Sequence, residues 1–357
     1  MAYNSAKLTT IGLRDPLGLT VALLRGGQFC QFCRRLINPD EKQALEWSDH
    51  MQMPKLLNPG DTVAILATSG PCDQHRLTTG VETIKRMGLK PWVMESCHTR
   101  HDFLAGPDDL RIRDLHAAFA SRHLRGILVA RGGYGAARLL GGLDYDLISA
   151  NPKVFVGYSD VTALHVVFNQ RCGFVTFHGP MPASDFYDGG EPFTVEALKK
   201  MIFATPQQPY TFRGGLLENP PGQPLITIFP GHATGPIIGG NLCLLAASIG
   251  TPYEVDTRGC ILFLEETGED PYRVDRMLLQ LKQAGKLSQA AGIILGDFSP
   301  QTPESLHIPI SELVATEKKP TLAGLACGHT SPSLTLPLGH NVLLDANKKQ
   351  IVLRRIP

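Results

Sequence analysis

The segment Val154-Phe-Val-Gly-Tyr-Ser-Asp160 decides which fold the chain is expected to adopt. Its apolar start is typical of a short buried strand, its polar end is typical of a turn, and a helical pattern through Asn169 follows. A second segment has the same design, because the apolar stretch Arg125–Ala130 runs into Arg131-Gly-Gly-Tyr-Gly135 and then into a helix from Ala136. Strands that alternate with helices predict a parallel sheet with helices on both faces.

The alternation continues on both sides of these two segments. In the first half of the chain we predict strands and helices, in order, at Thr62–Ala67, Gln74–Met87, Lys90–Met94, Asp108–Ser121 and Phe174–Phe177. Residues 204–230 are rich in proline and glycine, which is typical of a linker or an irregular crossover. After it we predict a helix opened by the segment ending at Asn241, a strand at Cys260–Leu264, a helix after Asp270-Pro271, strands at Gly292–Leu295 and Leu322–Ala326, and a hairpin of Asn341–Leu344 with Gln350–Leu353.

The expected fold is therefore α/β with two domains. The N-terminal domain contains a doubly wound, mostly parallel sheet, and a smaller C-terminal α/β domain ends in the hairpin. The expected boundaries are 1–52 for a poorly ordered extension, 53–190 for the first domain, 191–235 for the crossover and 236–357 for the second domain. Two domains also suit a chain of 357 residues.

Charge and composition argue against several classes of function. Thirty-four basic and 33 acidic residues give a net charge of +1, so there is no global field to attract nucleic acid or an anionic membrane. The basic residues also form pairs rather than patches. No apolar stretch approaches the roughly 18 residues of a transmembrane helix. We therefore expect neither nucleic-acid nor membrane partners.

The cysteine pattern favours a reducing compartment. Most of the eight cysteines lie in or beside apolar segments, which is typical of buried thiols rather than of a disulfide framework. The pair Cys30 and Cys33 forms a lone C-x-x-C, which is only half of a zinc site, so we predict no metal and no cofactor. The extension lacks the small-residue cleavage site of a secretory signal. A cytoplasmic location is expected.

Ser159 is the first candidate for chemistry. A serine between a buried strand and a helix projects from a tight turn, as a nucleophile elbow does, and the helix start offers free N–H groups to an oxyanion. The pattern is not G-x-S-x-G, because Val161 replaces the second glycine. The alternative is that Ser159 or Asp160 is only a helix N-cap. Both interpretations stay open on this segment alone.

The glycine-rich segment Arg131–Gly135 is the second candidate. Backbone N–H groups in such a loop can approach an anion closely, so it could complete an oxyanion hole, cradle a phosphate or simply form a turn. It lacks the pattern of a dinucleotide-binding or Walker loop. Since ligands of doubly wound sheets bind at the carboxyl ends of strands, this loop and Ser159 are expected at the same edge.

A nucleophilic serine needs a base, and the base needs an orienting acid. His329 follows the predicted strand Leu322–Ala326, and His178 is similarly placed after another strand. Glu265 and Glu266 directly follow the apolar strand that ends at Leu264. His329 is the first choice as base, His178 the second, and either glutamate suits the acid.

The ordered motifs of the chain resemble a known family, the muramoyl-tetrapeptide LD-carboxypeptidases, which are serine peptidases that include microcin C immunity peptidases. The resemblance covers about Lys55 to Leu353 and leaves the extension outside. It rests on Asn58-Pro-Gly-Asp61 with Ala64–Pro71, Arg131–Gly135, Gly157–Asp160, Phe177–Pro180, Gly239–Leu242, Leu262–Glu266 and Cys327–His329. Motifs in a fixed order are far more specific than any one of them.

The resemblance implies a role for each matching residue. Ser159 would be the nucleophile, His329 the general base and Glu265 the orienting acid, chosen over its neighbour because the family's glutamate directly follows the strand. The backbone N–H groups of Gly133 and Asp160 would form the oxyanion hole. The family also implies a homodimer with the cleft between the two domains.

The substrate implied by the resemblance is a murein tetrapeptide, cleaved at the L,D bond to its terminal D-alanine in peptidoglycan recycling. A microcin-type activity is the alternative within the family, but the chain's tryptophans, Trp47 and Trp92, lie outside the segment where such members would carry one to stack a base. Two further alternatives are a peptide-binding protein without catalysis and a phosphate-binding enzyme.

Overall fold

The computed structural model describes residues 51–204, 215–302 and 304–354. Cys30 and Cys33, and nearly all of the expected extension, lie outside the described residues. The strands are β1 Thr62–Leu66, β2 Lys90–Val93, β3 Leu124–Val129, β4 Val154–Gly157, β5 Thr176–His178, β6 Gly215–Leu216, β7 Ile226–Phe229, β8 His232–Asn241, β9 Ile261–Glu265, β10 Gly292–Leu295, β11 Thr321–Ala323, β12 Leu336–Leu338, β13 Asn341–Asp345 and β14 Gln350–Leu353.

The α-helices are short and lie between the strands. They are α1 Gln74–Arg86, α2 Asp108–Ala120, α3 Tyr145–Ser149, α4 Thr162–Cys172, α5 Pro182–Asp185, α6 Pro192–Ile202, α7 Leu242–Ser248, α8 Pro271–Gln283 and α9 Lys286–Gln289. The helix predicted from Ala136 is a 3₁₀ helix, Ala136–Gly142. Further 3₁₀ turns lie at Glu95–His98, Ser159–Val161 and Ala315–Glu317, and a π-helical turn lies at Pro309–Val314.

The first sheet has the strand order β12-β5-β4-β3-β1-β2. Its five N-terminal strands pair in parallel, which confirms the predicted doubly wound sheet. The sixth strand, β12, comes from the far end of the chain and pairs antiparallel with β5, with Leu336 opposite His178. The C-terminal part of the chain therefore completes the first sheet.

The second sheet has the order β6-β14-β13-β8-β9-β10-β11-β7. Its centre, β8 to β11, is parallel, and the predicted terminal hairpin of β13 and β14 is confirmed beside β8. Residues 191–235, expected as an irregular crossover, contain α6, β6, β7 and the start of β8. Prolines and glycines in the described part of this segment, such as Pro220, Pro221 and Gly222, lie between these elements. The domain boundaries predicted from the sequence remain a prediction.

One predicted helix start is wrong. The segment ending at Asn241 was expected to open a helix, but it is the end of β8, and α7 begins only at Leu242. Gly239 and Gly240 have φ angles of +130° and +139°, which an L-residue rarely adopts. A Cβ on Gly239 would lie 2.0 Å from the carbonyl oxygen of Phe263, so glycine allows β8 to approach β9 closely. Asn241 does cap α7, because its side chain accepts a hydrogen bond from Leu244 N.

Side-chain hydrogen bonds join the two sheets. Thr162 at the start of α4 accepts a bond at 3.0 Å from Asn241 N, where β8 ends. Asn169 at the other end of α4 donates at 3.2 Å to the carbonyl of Leu338 in β12. Helix α4 therefore connects the first sheet to the C-terminal part of the chain, and both of these hydrogen bonds are buried.

Candidate active site

Ser159 lies in a sharp turn at the carboxyl end of β4. Its φ angle is +64°, a left-handed conformation that is uncommon for a residue with a side chain and is typical of functional sites. The 3₁₀ turn Ser159–Val161 leads directly into α4. Gly132, at the carboxyl end of β3, lies against it, because a Cβ on this glycine would be 3.1 Å from Ser159 Oγ. The glycine thus leaves room for the serine side chain.

The structure brings Ser159, His329 and Glu265 together from three different strand ends. His329 Nε2 lies 3.1 Å from Ser159 Oγ, and His329 Nδ1 lies 2.7 Å from Glu265 Oε2. Because the carboxylate can only accept, Nδ1 carries the proton and Nε2 is free to accept from the serine hydroxyl. The residues form one hydrogen-bonded chain with the geometry of a nucleophile, a base and an orienting acid.

The environment of the imidazole favours its charged form. Burial opposes protonation of His329, but the hydrogen bond that it donates to Glu265 and the charges of Glu265, Glu266 and Asp185 outweigh it and raise the pKa of His329. The imidazolium that forms when a serine loses its proton is stabilised by the same groups. The Glu265 side chain is fully buried, whereas 18% of the His329 side chain is exposed. Reactants can therefore reach the histidine but not the acid.

Glu265 and Glu266 have different partners. Glu266 accepts hydrogen bonds from Asn241 Nδ2 at 3.0 Å, Cys243 N at 2.8 Å and Thr267 N at 2.9 Å, so it fixes the start of α7. Burial raises the pKa of Glu266. Glu265 points to the other side of the strand, as alternation along β9 requires. Only Glu265 contacts the histidine, in the orientation expected for an acid partner.

Gly328 gives Glu265 its access to His329. A Cβ on this glycine would lie 2.6 Å from Glu265 Oε2, and its φ angle is +118°. Any larger residue here would collide with the carboxylate and would strain the backbone. The glycine before His329 is thus required by the close approach of β9 and the loop after β11.

Asp160 connects the serine turn to the glycine-rich loop. Its Oδ2 accepts a hydrogen bond from Ala136 N at 2.7 Å. Burial raises the pKa of Asp160, although the hydrogen bonds that it accepts from Ser69 and from the backbone of Ala136 and Gly135 act to lower it. The side chain therefore fixes the two loops relative to each other, a role that the motif alone did not indicate. Gly133, the predicted oxyanion donor, lies in the same loop with a φ angle of +117°.

Tyr158 and Asp185 were not predicted as parts of the site, although Tyr158 precedes the serine. The Tyr158 ring packs edge-on against His329, with 4.8 Å between the ring centroids. Its hydroxyl donates to Asp185 Oδ1 at 3.0 Å, and Asp185 Oδ2 accepts from Met181 N at 2.7 Å. The tyrosine is thus held in place and limits rotation of the imidazole. A phenol directly beside a predicted nucleophile was the only signal for this role in the sequence.

The second candidate base, His178, and the nearby His165 are buried beside the hydrogen-bonded chain rather than in it. His165 bonds to Thr176 Oγ1 and to the carbonyl of Gly157, each at 2.8 Å, and burial lowers its pKa to about 4. His178 has no hydrogen-bond partner within the described residues, and burial lowers its pKa well below its usual value. Neither ring contacts Ser159 Oγ. Both act as neutral packing groups under the site.

Among the described residues there is no group of three or more His, Cys, Asp or Glu side chains that could hold a metal ion. None of the helices in the described part is long and apolar enough to span a membrane.

Comparison with known proteins identifies the family to which the chain belongs. Residues 63–179 match the LD-carboxypeptidase N-terminal domain, and residues 234–344 match the LD-carboxypeptidase C-terminal domain. The chain belongs to the LD-carboxypeptidase family. It is therefore a hydrolase of the serine-peptidase class, and the family resemblance inferred from the motifs is confirmed.

Relatives of this LD-carboxypeptidase cover most of its length. A probable murein peptide carboxypeptidase of Bacillus subtilis is 39% identical over 84% of this chain and 93% of its own. The crystal structure of muramoyltetrapeptide carboxypeptidase from Oxalobacter formigenes matches with a TM-score of 0.69 and 31% identity, over 82% of this chain and 97% of its own. The structure of MccF in complex with glutamyl sulfamoyl guanosine matches with a TM-score of 0.76 and 26% identity, over 84% and 97%. The two-sheet fold is common to them.

Proposed function

We propose that this LD-carboxypeptidase hydrolyses the L,D-peptide bond that joins the terminal D-alanine to a murein tetrapeptide, with Ser159 as nucleophile. The observation that carries the proposal is the hydrogen-bonded chain from Ser159 Oγ through His329 to Glu265, at 3.1 and 2.7 Å. The names of the Bacillus subtilis and Oxalobacter formigenes relatives support a murein peptide as substrate.

Acylation begins when Ser159 Oγ attacks the carbonyl carbon and His329 Nε2 takes the hydroxyl proton. Glu265 keeps the proton of Nδ1 in place and stabilises the imidazolium. The carbonyl π electrons move onto oxygen, and the tetrahedral oxyanion collapses as the C–N bond breaks. The imidazolium gives its proton to the leaving amine, which departs as D-alanine.

The oxyanion is held by the backbone N–H groups of Asp160 and Gly133. Asp160 N lies at the start of the turn that precedes α4, where the helix dipole favours negative charge. The tie between the Asp160 carboxylate and Ala136 N at 2.7 Å keeps the serine turn and the glycine-rich loop at a fixed separation. One such donor is worth roughly 3 kcal/mol to the transition state.

Deacylation repeats the same proton transfers with water. His329 Nε2 takes a proton from water as its oxygen attacks the acyl carbon, and the imidazolium then protonates Ser159 Oγ as the ester C–O bond breaks. The tripeptide leaves with a new carboxylate. The imidazolium of His329 forms twice in each cycle, and the surrounding carboxylates stabilise its positive charge each time.

The decisive experiment is release of D-alanine from a purified murein tetrapeptide by the wild type, Ser159→Ala and Ser288→Ala. We expect Ser159→Ala to lose about 10⁴-fold or more in kcat, as when a triad nucleophile is removed. Ser288 is an exposed serine that bonds only to the carbonyl of Gly285, so its variant should equal the wild type.

Each other outcome identifies a different error. Equal release by wild type and Ser159→Ala would mean that another group attacks the substrate. No release by the wild type would shift the assignment to a microcin-like substrate or to a peptide-binding protein without catalysis. A microcin-like substrate would be detected by hydrolysis of an aminoacyl sulfamoyl nucleoside, the kind of ligand bound in the MccF structure.

A cytoplasmic location and a homodimer belong to the same proposal. The cysteines of the described residues are free thiols, three of them buried, which suits a reducing compartment. The homodimer rests on the family resemblance and is tested by light scattering of the purified chain.

A further inference from the structure

A polar cavity lies at the start of the glycine-rich loop Arg131–Gly135. It has a volume of about 150 Å³ and is lined by Asp73, Arg76, Arg131, Ala183 and Ser184. Two of its five lining residues are arginines. The carboxylate of Asp73 caps α1, because it accepts a hydrogen bond from Arg76 N at 2.9 Å. The cavity therefore carries a net positive charge.

Arg131 is held in place without an acidic partner. Its Nε donates to the carbonyl of Gly132 at 3.2 Å, and its Nη1 donates to the carbonyl of Pro71 at 3.0 Å. No Asp or Glu of the described residues forms an ion pair with it, and the residue is only partly exposed. Since a guanidinium has five N–H donors, three remain, and they lie on Nη1 and Nη2. This geometry suits a bidentate carboxylate.

Arg76 adds a second unpaired cation to the same cavity. Its guanidinium lies 4.1 Å from the centre of the exposed Tyr187 ring and has no ion pair in the described part of the chain. Arg113 and Arg138, by contrast, are each paired with a carboxylate. Arg131 is partly buried and has no acidic partner among the described residues, whereas Arg76 is exposed, and an anion bound in the cavity would meet both guanidinium groups.

The residues that line the cavity are close in sequence to residues that lie against Ser159. Gly132, which follows Arg131, lies against Ser159 Oγ, and Met181 Cε lies 3.6 Å from the position of a Cβ on Gly132. Ala183, which lines the cavity, donates its N–H to the carbonyl of Ala130 at 2.9 Å. The terminal carboxylate of a carboxypeptidase substrate is one residue beyond the scissile carbonyl, a span of about 4 Å between successive Cα atoms. A carboxylate at this distance from the attacked carbonyl is within reach of the segment Arg131–Gly132, because Gly132 lies against Ser159 Oγ.

We propose that Arg131, with Arg76 beside it, binds the terminal carboxylate of the leaving amino acid and restricts the enzyme to peptide ends. The inference rests on the proposed function and adds the residue that recognises the free carboxyl group. The guanidinium takes both carboxylate oxygens through its free N–H groups. An internal peptide bond, or a C-terminal amide, offers no charge to the cavity and is rejected.

The test compares two substrates in one set of variants. The murein tetrapeptide with a free terminal carboxylate and the same peptide with a C-terminal amide are given to the wild type, Arg131→Gln and Arg131→Lys. We expect Arg131→Gln to lower kcat/KM for the free acid by roughly 100-fold, as when one partner of a charge pair is removed, and to change the amide by no more than about 3-fold. Arg131→Lys should restore part of the preference, because it keeps the charge without the fork.

The control is Arg113→Gln, which removes an exposed arginine that pairs only with Glu95 on the surface. It should leave both substrates unchanged. An equal loss on acid and amide in Arg131→Gln would overturn the proposal while leaving the proposed function intact, because Arg131 would then only support the loop. A wild type that hydrolyses neither substrate would overturn both.

Discussion

At the residue scale, the carboxylates around His329 differ in how they act on it. Glu265 bonds to the ring, whereas Asp185 acts only through its charge and through Tyr158. Because Asp185 favours the imidazolium, Asp185→Asn should lower the pKa of His329. The general base must be neutral, so the acid limb of the kcat/KM profile should move to lower pH. A pH–rate profile from pH 5 to 8 measures this shift.

Asp188→Asn is the matched control for that profile. Asp188 is exposed on the same segment and bonds only to Gly190 N, so its charge is screened by water. A profile of Asp185→Asn that coincides with that of the wild type would contradict the electrostatic role. A uniform loss of rate with an unchanged limb would show that Asp185 only supports Tyr158.

At the element scale, the parallel centre of the second sheet depends on the close approach of β8 and β9 at Gly239. We expect Gly239→Ala to destabilise the protein by about 3 kcal/mol or more, because a Cβ there would lie 2.0 Å from a backbone oxygen that cannot move without breaking the sheet. Urea unfolding followed by circular dichroism measures the free energy of unfolding.

Gly250→Ala separates steric collision from backbone strain. Gly250 also has a positive φ angle, +81°, but a Cβ on it would meet no atom within 4 Å. Its substitution should cost only about 1 kcal/mol, the penalty of a left-handed conformation. Similar losses in both variants would mean that the contact with Phe263 is unimportant.

Local sequence patterns could predict many of the strands and helices and the residues that meet at the site. The apolar strands followed by polar turns placed Ser159, Glu265 and His329 at strand ends, and in the structure these three strand ends meet. The pairing of β12 with β5 could not be predicted, because nothing in either short strand specifies a partner so distant in sequence. The segment Gly239-Gly240-Asn241 is predicted to open a helix but ends a strand, because glycine before asparagine is equally typical of a helix start and of a close approach between strands.

At the scale of the whole molecule, buried neutral histidines couple stability to pH. Burial lowers the pKa of His165 and of His340 to about 4, and it lowers the pKa of His178 well below its usual value. In the unfolded chain these groups bind protons near pH 6.5, so their contribution to stability is complete above that pH and is lost as the pH falls toward 4. The urea midpoint should therefore fall between pH 7 and pH 5.

His329 acts in the opposite direction, because its raised pKa adds stability that is present below pH 6.5 and lost as the pH rises through the folded value. Among the histidines, one group thus opposes three. His165→Gln should flatten the dependence by removing one contributor. A urea midpoint that stays constant from pH 7 to pH 5 would show that these rings titrate normally.

The late position of β12 has a consequence for synthesis of the chain. When the ribosome has produced everything up to β5, the first sheet has a bare edge at His178, and its partner Leu336 has not yet been made. Glu265 and His329 also emerge after Ser159. A chain that ends before His329 therefore carries Ser159 without the imidazole that lies 3.1 Å from its hydroxyl oxygen, and its first sheet lacks the antiparallel edge strand.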